Sequence, residues 1–193
     1  MKNLLGILIM LASFEKSIGQ LPDSTLESVF EHLQLDQLRQ LVRPSNDRSF
    51  SNLTNDCLTE LSFKIPILNP ISNLKVNSRF GFRIHPISGA IKKHQGIDIA
   101  GKSGQPIYAA ADGFIVETGY HKFLGNYVKI KHLLNFVTLY GHLQEVVMHS
   151  KNPAVYQGQI IGTCGSTGRT TGVHLHFSIL WKNEFLNPYS YIF

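Results

Sequence analysis

Eight of the nine histidines in this 193-residue chain fall after residue 74, and their spacing says more than their number. In His174-Leu175-His176, side chains at i and i+2 of an extended strand share a face. His174, His176 and Ser178 therefore project together while Val173, Leu175, Phe177 and Ile179 face a core. In His94-Gln95-Gly96-Ile97-Asp98, positions 94, 96 and 98 share a face, and the glycine leaves room for imidazole and carboxylate to converge. That pair suits Zn²⁺, and a third imidazole from another strand completes three protein ligands with one position open, the pattern of a catalytic zinc. Each segment alone also has an ordinary explanation, a half-exposed strand for the first and a hydrogen-bonded turn for the second. Alternation over residues 136–143 places Thr138, Tyr140 and His142 opposite Val137, Leu139 and Leu143. His142 then ends a strand, either as a core-edge residue bonded to Tyr140 or as a catalytic imidazole.

The elements that must hold these groups are mostly β. Beyond residue 74 the chain reads as short runs (129–132, 136–140, 159–162, 173–180) between glycine-bearing turns, with no helical period. Residues 20–74 differ. Ser24 and Glu27 form a capping box, Leu26, Val29, Phe30, Leu33, Leu38, Leu41 and Val42 follow helical spacing, and Pro44 stops the run. This predicts an amphipathic helix over 24–42 that must bury its stripe on its own body, a second copy or a partner. Pro66 and Pro70 mark an extended lead-in. Ahead of all this, Lys2, the apolar run over 4–14 and the small residues over 17–19 read as a secretory signal. The run is too short for a membrane span, which needs roughly 20 apolar residues. The expected organisation is a signal over 1–19, a helical and extended region over 20–74, and a small antiparallel β-sheet or sandwich domain over 75–193. The mature protein is expected to be exported, to the periplasm or the cell wall, without stable membrane insertion.

Charge is divided along the same boundary. Residues 20–74 hold 4 basic and 7 acidic groups, residues 75–193 hold 12 and 5. The histidine-rich part is the basic one and points to an anionic partner. With 43% apolar and 16% charged residues the chain is neither disordered nor fibrous. Two cysteines, Cys57 and Cys164, permit no disulfide framework, and Cys164 reads as a small buried residue on a strand.

Read in order, Ser78-Arg79-Phe80-Gly81-Phe82-Arg83-Ile84-His85-Pro86, His94-x-x-x-Asp98, Pro106-Ile107-Tyr108-Ala109-Ala110-Ala111-Asp112-Gly113, Tyr140-Gly141-His142-Leu143, Gly158-Gln159-Ile160-Ile161-Gly162 and Thr171-Gly172-Val173-His174-Leu175-His176-Phe177 together resemble the lysostaphin-type (LytM-domain) zinc metalloendopeptidases, which cut peptidoglycan peptides. The combination is specific although each motif alone is not. The resemblance implies a β-sheet scaffold crossed by a groove, zinc on His94, Asp98 and His176, and unliganded catalytic imidazoles at His174 and His142. Peptidoglycan, not nucleic acid, becomes the expected anionic partner. Arg83 and Tyr140 are candidates for substrate contact, with a structural ion pair the alternative for Arg83. All five family positions are filled, which favours an active enzyme over the family's metal-free members, which act as wall-binding activators of other hydrolases. The loop over 165–172 lacks the Lys and following helix of a phosphate cradle and reads as a turn beside the groove. Residues 148–157 depart from the family's shorter turn, so they are expected to alter one groove wall.

Overall fold

In a computed structural model of the protein, residues 65–84, 89–147 and 153–192 are described. The signal reading, the helix over 24–42, Cys57, His85 and His149 lie outside them. The described chain forms β1 (Val76–Ser78), β2 (Gly81–Ile84), β3 (Ile91–His94), β4 (Ile97–Ala100), β5 (Pro106–Tyr108), β6 (Gly113–His121), β7 (Gly125–Lys131), β8 (Phe136–Val146), β9 (Ala154–Val155), β10 (Ile160–Cys164), β11 (His174–Trp181), β12 (Glu184–Leu186) and one short helix, α1 (Tyr189–Ile192). No helix among the described residues is long and apolar enough to cross a membrane. The mainly β expectation therefore holds for the described part.

The strands make one large antiparallel sheet and a separate ribbon. The large sheet is ordered β1-β4-β11-β8-β7-β6-β9, with β12 on β11 and with β10 joining β8 to β5, while β2 and β3 pair only with each other. Local sequence accounts for the joints. Lys182 and Asn183 both take positive φ between Trp181 and its partner Glu184, the two-residue turn whose twist suits a hairpin. Alternation on β11 buries Leu175, Phe177 and Ile179 completely, as the period-2 reading requires, and leaves His174 and His176 on the opposite face. Tyr140, Phe136, Phe177, Ile97 and Ile99 fill the same core.

Residues 65–74 belong to this body. Ile65 and Ile71 are buried, and the carbonyl of Pro70 accepts from Tyr108 N–H at 2.8 Å. Proline has no N–H to place, so an acceptor-only edge suits it. Cys164 is buried and free among the described residues. Residues 153–155 depart from expectation. Their carbonyl and β9 strand cover the outer edge of β6 through Ile115 N–H to Pro153 O at 2.8 Å and the Gly113/Val155 pairing. This places them at the far end of the sheet from β4 and β11, so the described part of the inserted stretch closes an edge and does not shape the groove.

Candidate active site

Sheet register brings the first two candidate groups together. Asp98 on β4 is the cross-strand partner of His176 on β11, and directly opposed residues of an antiparallel pair share a face. His94 ends β3, with two residues between it and the start of β4. Between them the backbone at Gly96 crosses β11 so closely that any Cβ would collide with the Phe177 carbonyl, which is what a glycine permits here. The result is a cluster in which His176 Nδ1 lies 2.9 Å from Asp98 Oδ1, His94 Nε2 lies 3.1 Å from the same oxygen, and the two nitrogens are 3.2 Å apart.

His142 arrives by a different route. Asn126 pairs with Leu143 and Val128 with Tyr140, so two residues, Gly141 and His142, oppose Tyr127 alone. This is a β-bulge, and His142 takes φ +60° within it. A bulge re-aims a side chain by interrupting alternation. Gly141 and His142 consequently both serve the site side, and the His142 ring stands 4.6 Å from that of His174 and 6.1 Å from that of His176. The strand runs on to Val146 instead of ending at His142 as its sequence suggested.

Every ring has a partner on its outer nitrogen. Nδ1–H of His94 donates to the Arg79 carbonyl (2.9 Å), that of His142 to the Thr167 carbonyl (2.8 Å) and that of His174 to the Gly172 carbonyl (2.9 Å). His176 engages Ser178 Oγ through Nε2 at 3.1 Å. A carbonyl can only accept, so in the first three rings Nδ1 carries hydrogen and the neutral ring offers Nε2 as a lone pair. Asp98 Oδ2 is taken by Arg83 at 3.0 Å, leaving Oδ1 turned to the cluster. Two imidazole nitrogens and a carboxylate oxygen thus converge, all within 4.8 Å of one another. Acceptors so arranged repel unless positive charge lies between them, and this N₂O donor set fits zinc.

The electrostatics agree. Burial alone would raise the Asp98 carboxyl, but its close contacts with the His176 and His94 rings outweigh it and hold the group far below the usual carboxylate range. Burial pushes His176 down, against the pull of Asp98. His142 is pushed down to about 4, mainly by burial, with its bond to the Thr167 carbonyl opposing and the neighbouring His174 and His176 adding. At neutral pH it is therefore the neutral, proton-accepting form. His174 Nε2 stands 3.6 Å from Asp98 Oδ1.

One expectation is corrected. Tyr140 does not face the site: it pairs with Phe177 across β8 and β11, is fully buried, and stacks against Phe177 at 5.2 Å. Its hydroxyl accepts from Ala110 N–H at 2.9 Å and shares a hydrogen bond with Thr138 Oγ1 at 3.0 Å. Burial pushes the phenol up to about 12, so it remains a neutral core group. Tyr140→Phe leaves the Ala110 N–H unpaired and is expected to cost about 1–3 kcal/mol, lowering the Tm while hydrolysis per folded molecule is retained; a KM rise at unchanged Tm would return Tyr140 to the cleft. Arg83 makes the ion pair offered for it, with Asp98, and also lines the cleft.

Sequence reasoning missed the residues that orient the rings. Thr167 is the chief one. Its Oγ1 bridges Asn126 N–H (2.9 Å) and the Leu143 carbonyl (2.7 Å) while its own carbonyl receives His142. Gly125 and Gly168, both at positive φ, let the 165–172 loop press against the β6–β7 turn. The loop therefore lies beside the cleft as expected, a cavity of about 550 Å³ lined by all four clustered histidines and Asp98.

Comparison with known proteins gives the same picture. Residues 92–188 match Peptidase family M23. Among curated relatives, the Vibrio cholerae protein named peptidoglycan DD-endopeptidase ShyC is 43% identical over 121 residues, which are 62% of this chain and 28% of that protein. The chain thus spans under a third of that relative's length. Among solved structures, a zinc-containing peptidase from Vibrio cholerae is 36% identical with a TM-score of 0.55, over 61% of this chain and 37% of that one. The catalytic domain of lysostaphin from Staphylococcus simulans is 31% identical with a TM-score of 0.54, over 61% of this chain and 90% of that one.

Proposed function

Because the chain belongs to Peptidase family M23, we propose that it is an exported zinc endopeptidase that hydrolyses peptide bonds in the stem peptides or cross-bridges of peptidoglycan. One observation carries the reading: His94 Nε2, Asp98 Oδ1 and His176 Nδ1 converge beside two further imidazoles that are held in place but stand outside the trio. A zinc ion on His94, Asp98 and His176 supplies Lewis acidity, polarising a carbonyl and making water a competent nucleophile near neutral pH. Arg83 fixes the Asp98 carboxylate so that a single oxygen faces inward. His142 and His174, each tied through Nδ1–H to a backbone carbonyl, present Nε2 to the cleft. One accepts the proton of the attacking water and returns it to the leaving amine, and the other, protonated, donates to the oxygen on which negative charge gathers. No metal-free relative's role as an activator is needed to account for this complete set.

The test is digestion of purified peptidoglycan by the full chain alone. Soluble peptide fragments are expected with zinc and none with chelator. A chain that releases nothing itself but speeds another wall hydrolase, with chelator making no difference, would establish the activator reading instead.

A further inference from the structure

The cleft is built with one sign of charge outside the ligand cluster. On the β2–β3 ribbon, Arg83 pairs with Lys92 and Gly81 with His94, so Lys92 shares the inner face with His94 while the apolar Phe82, Ile84 and Ile91 lie exposed on the other face. The ribbon leads into β4. On the β7 and β8 side, Arg169 N–H donates to the Phe123 carbonyl at 3.1 Å and its guanidinium stands 5.9 Å from the Phe123 ring, with Lys122 Nζ 5.0 Å from the same ring. Lys92 and Arg169 both line the cavity, as does Lys93, and among the described residues Asp98 is its only acidic one. That carboxylate is already engaged by His94, His176 and Arg83. Neither Lys92 nor Arg169 makes an ion pair with another described residue, whereas Lys129 elsewhere on the sheet is paired with Glu117 at 2.6 Å.

We infer that Lys92 and Arg169 are specificity-determining residues that hold free carboxylates of the substrate on the two sides of the scissile amide, so that the cleft selects an acidic cross-linked peptide over an uncharged one such as oligoglycine. This rests on the peptidase reading of the same site. A ligand must bring its reacting amide to the imidazole cluster, so the anionic groups that meet these cations belong to the peptide itself and not to a separate polymer. Cations left unpaired along a walled cleft focus the field and concentrate a ligand of opposite sign, and a guanidinium offers a carboxylate two parallel hydrogen bonds.

The experiment compares two synthetic probes on the full chain with zinc: a D-alanyl cross-linked peptide with free carboxylates flanking the scissile bond, and the same peptide with both carboxylates amidated. Binding is measured by fluorescence polarisation and turnover by steady-state kinetics. The acidic peptide is expected to bind about tenfold or more tightly, with the advantage shrinking as salt rises. Lys92→Ala and Arg169→Ala each raise KM for it about tenfold with kcat little changed, and together they bring the two probes near parity. Equal binding and turnover of both probes by the unaltered chain would overturn the inference and leave the peptidase reading standing. Preferential binding of the acidic probe with neither probe cut would uphold charge selection and overturn the peptidase reading. If neither is bound or cut, both fall.

Discussion

A His176→Ala chain exposed to excess zinc retains none, and its peptidoglycan hydrolysis falls by at least about a thousandfold. His176 supplies the nitrogen that lies 2.9 Å from Asp98 Oδ1 and 3.2 Å from His94 Nε2, and its removal leaves two donors where a hydrolytic zinc uses three and an open position. Lewis-acid stabilisation contributes several kcal/mol to the transition state, and each 1.36 kcal/mol is a factor of ten. A second readout is independent of turnover. Zinc that binds only the folded chain raises its Tm, by about 2.7 kcal/mol of stabilisation at a hundredfold excess over Kd, so the unaltered protein shifts and the variant does not. Metal analysis and melting curves check both, and stoichiometric zinc on the variant would remove His176 from the ligand set.

His142→Ala and His174→Ala divide the two properties. Each keeps zinc and its thermal shift, because neither Nε2 belongs to the converging trio, while kcat falls about 10²–10⁴-fold, the usual worth of a positioned acid or base. The His142 case is the sharper. Its ring reaches the cluster only through the bulge and is held there by the Thr167 carbonyl, an arrangement that leaves a neutral imidazole facing the cleft. Unchanged turnover in His142→Ala, measured on the same preparations, would show that this ring takes no part in the chemistry.

The convergence of His94, Asp98 and His176 was partly legible in the sequence because two simple features prepare it, while the choice of His176 over His174 came from the family resemblance and not from periodicity. Alternation on β11 fixes the faces of His174 and His176, and Gly96 lets His94 double back beside Asp98. Tyr140 was misplaced by the same rule that placed His176. Strict alternation assumes one residue opposite one residue, and the bulge at Gly141 and His142 breaks that count, so Thr138 and Tyr140 turn to the core while His142 turns to the site. The backbone carbonyls of Arg79, Thr167 and Gly172 carry no side-chain signal, and the orientation they give the rings emerges only once the loops have packed. The β texture after residue 74 was readable from its glycine-bearing turns, whereas Ile65 and Ile71 looked like lead-in because their burial depends on strands far away in sequence.

The most direct measurement is the mass of the fragments released when the full chain, loaded with zinc, acts on purified peptidoglycan. Fragments ending in a new amino group and a new carboxyl group at a peptide bond are expected, absent when zinc is chelated. Fragments produced by glycan-strand cleavage, or the same peptide fragments with the metal removed, would contradict the zinc endopeptidase reading.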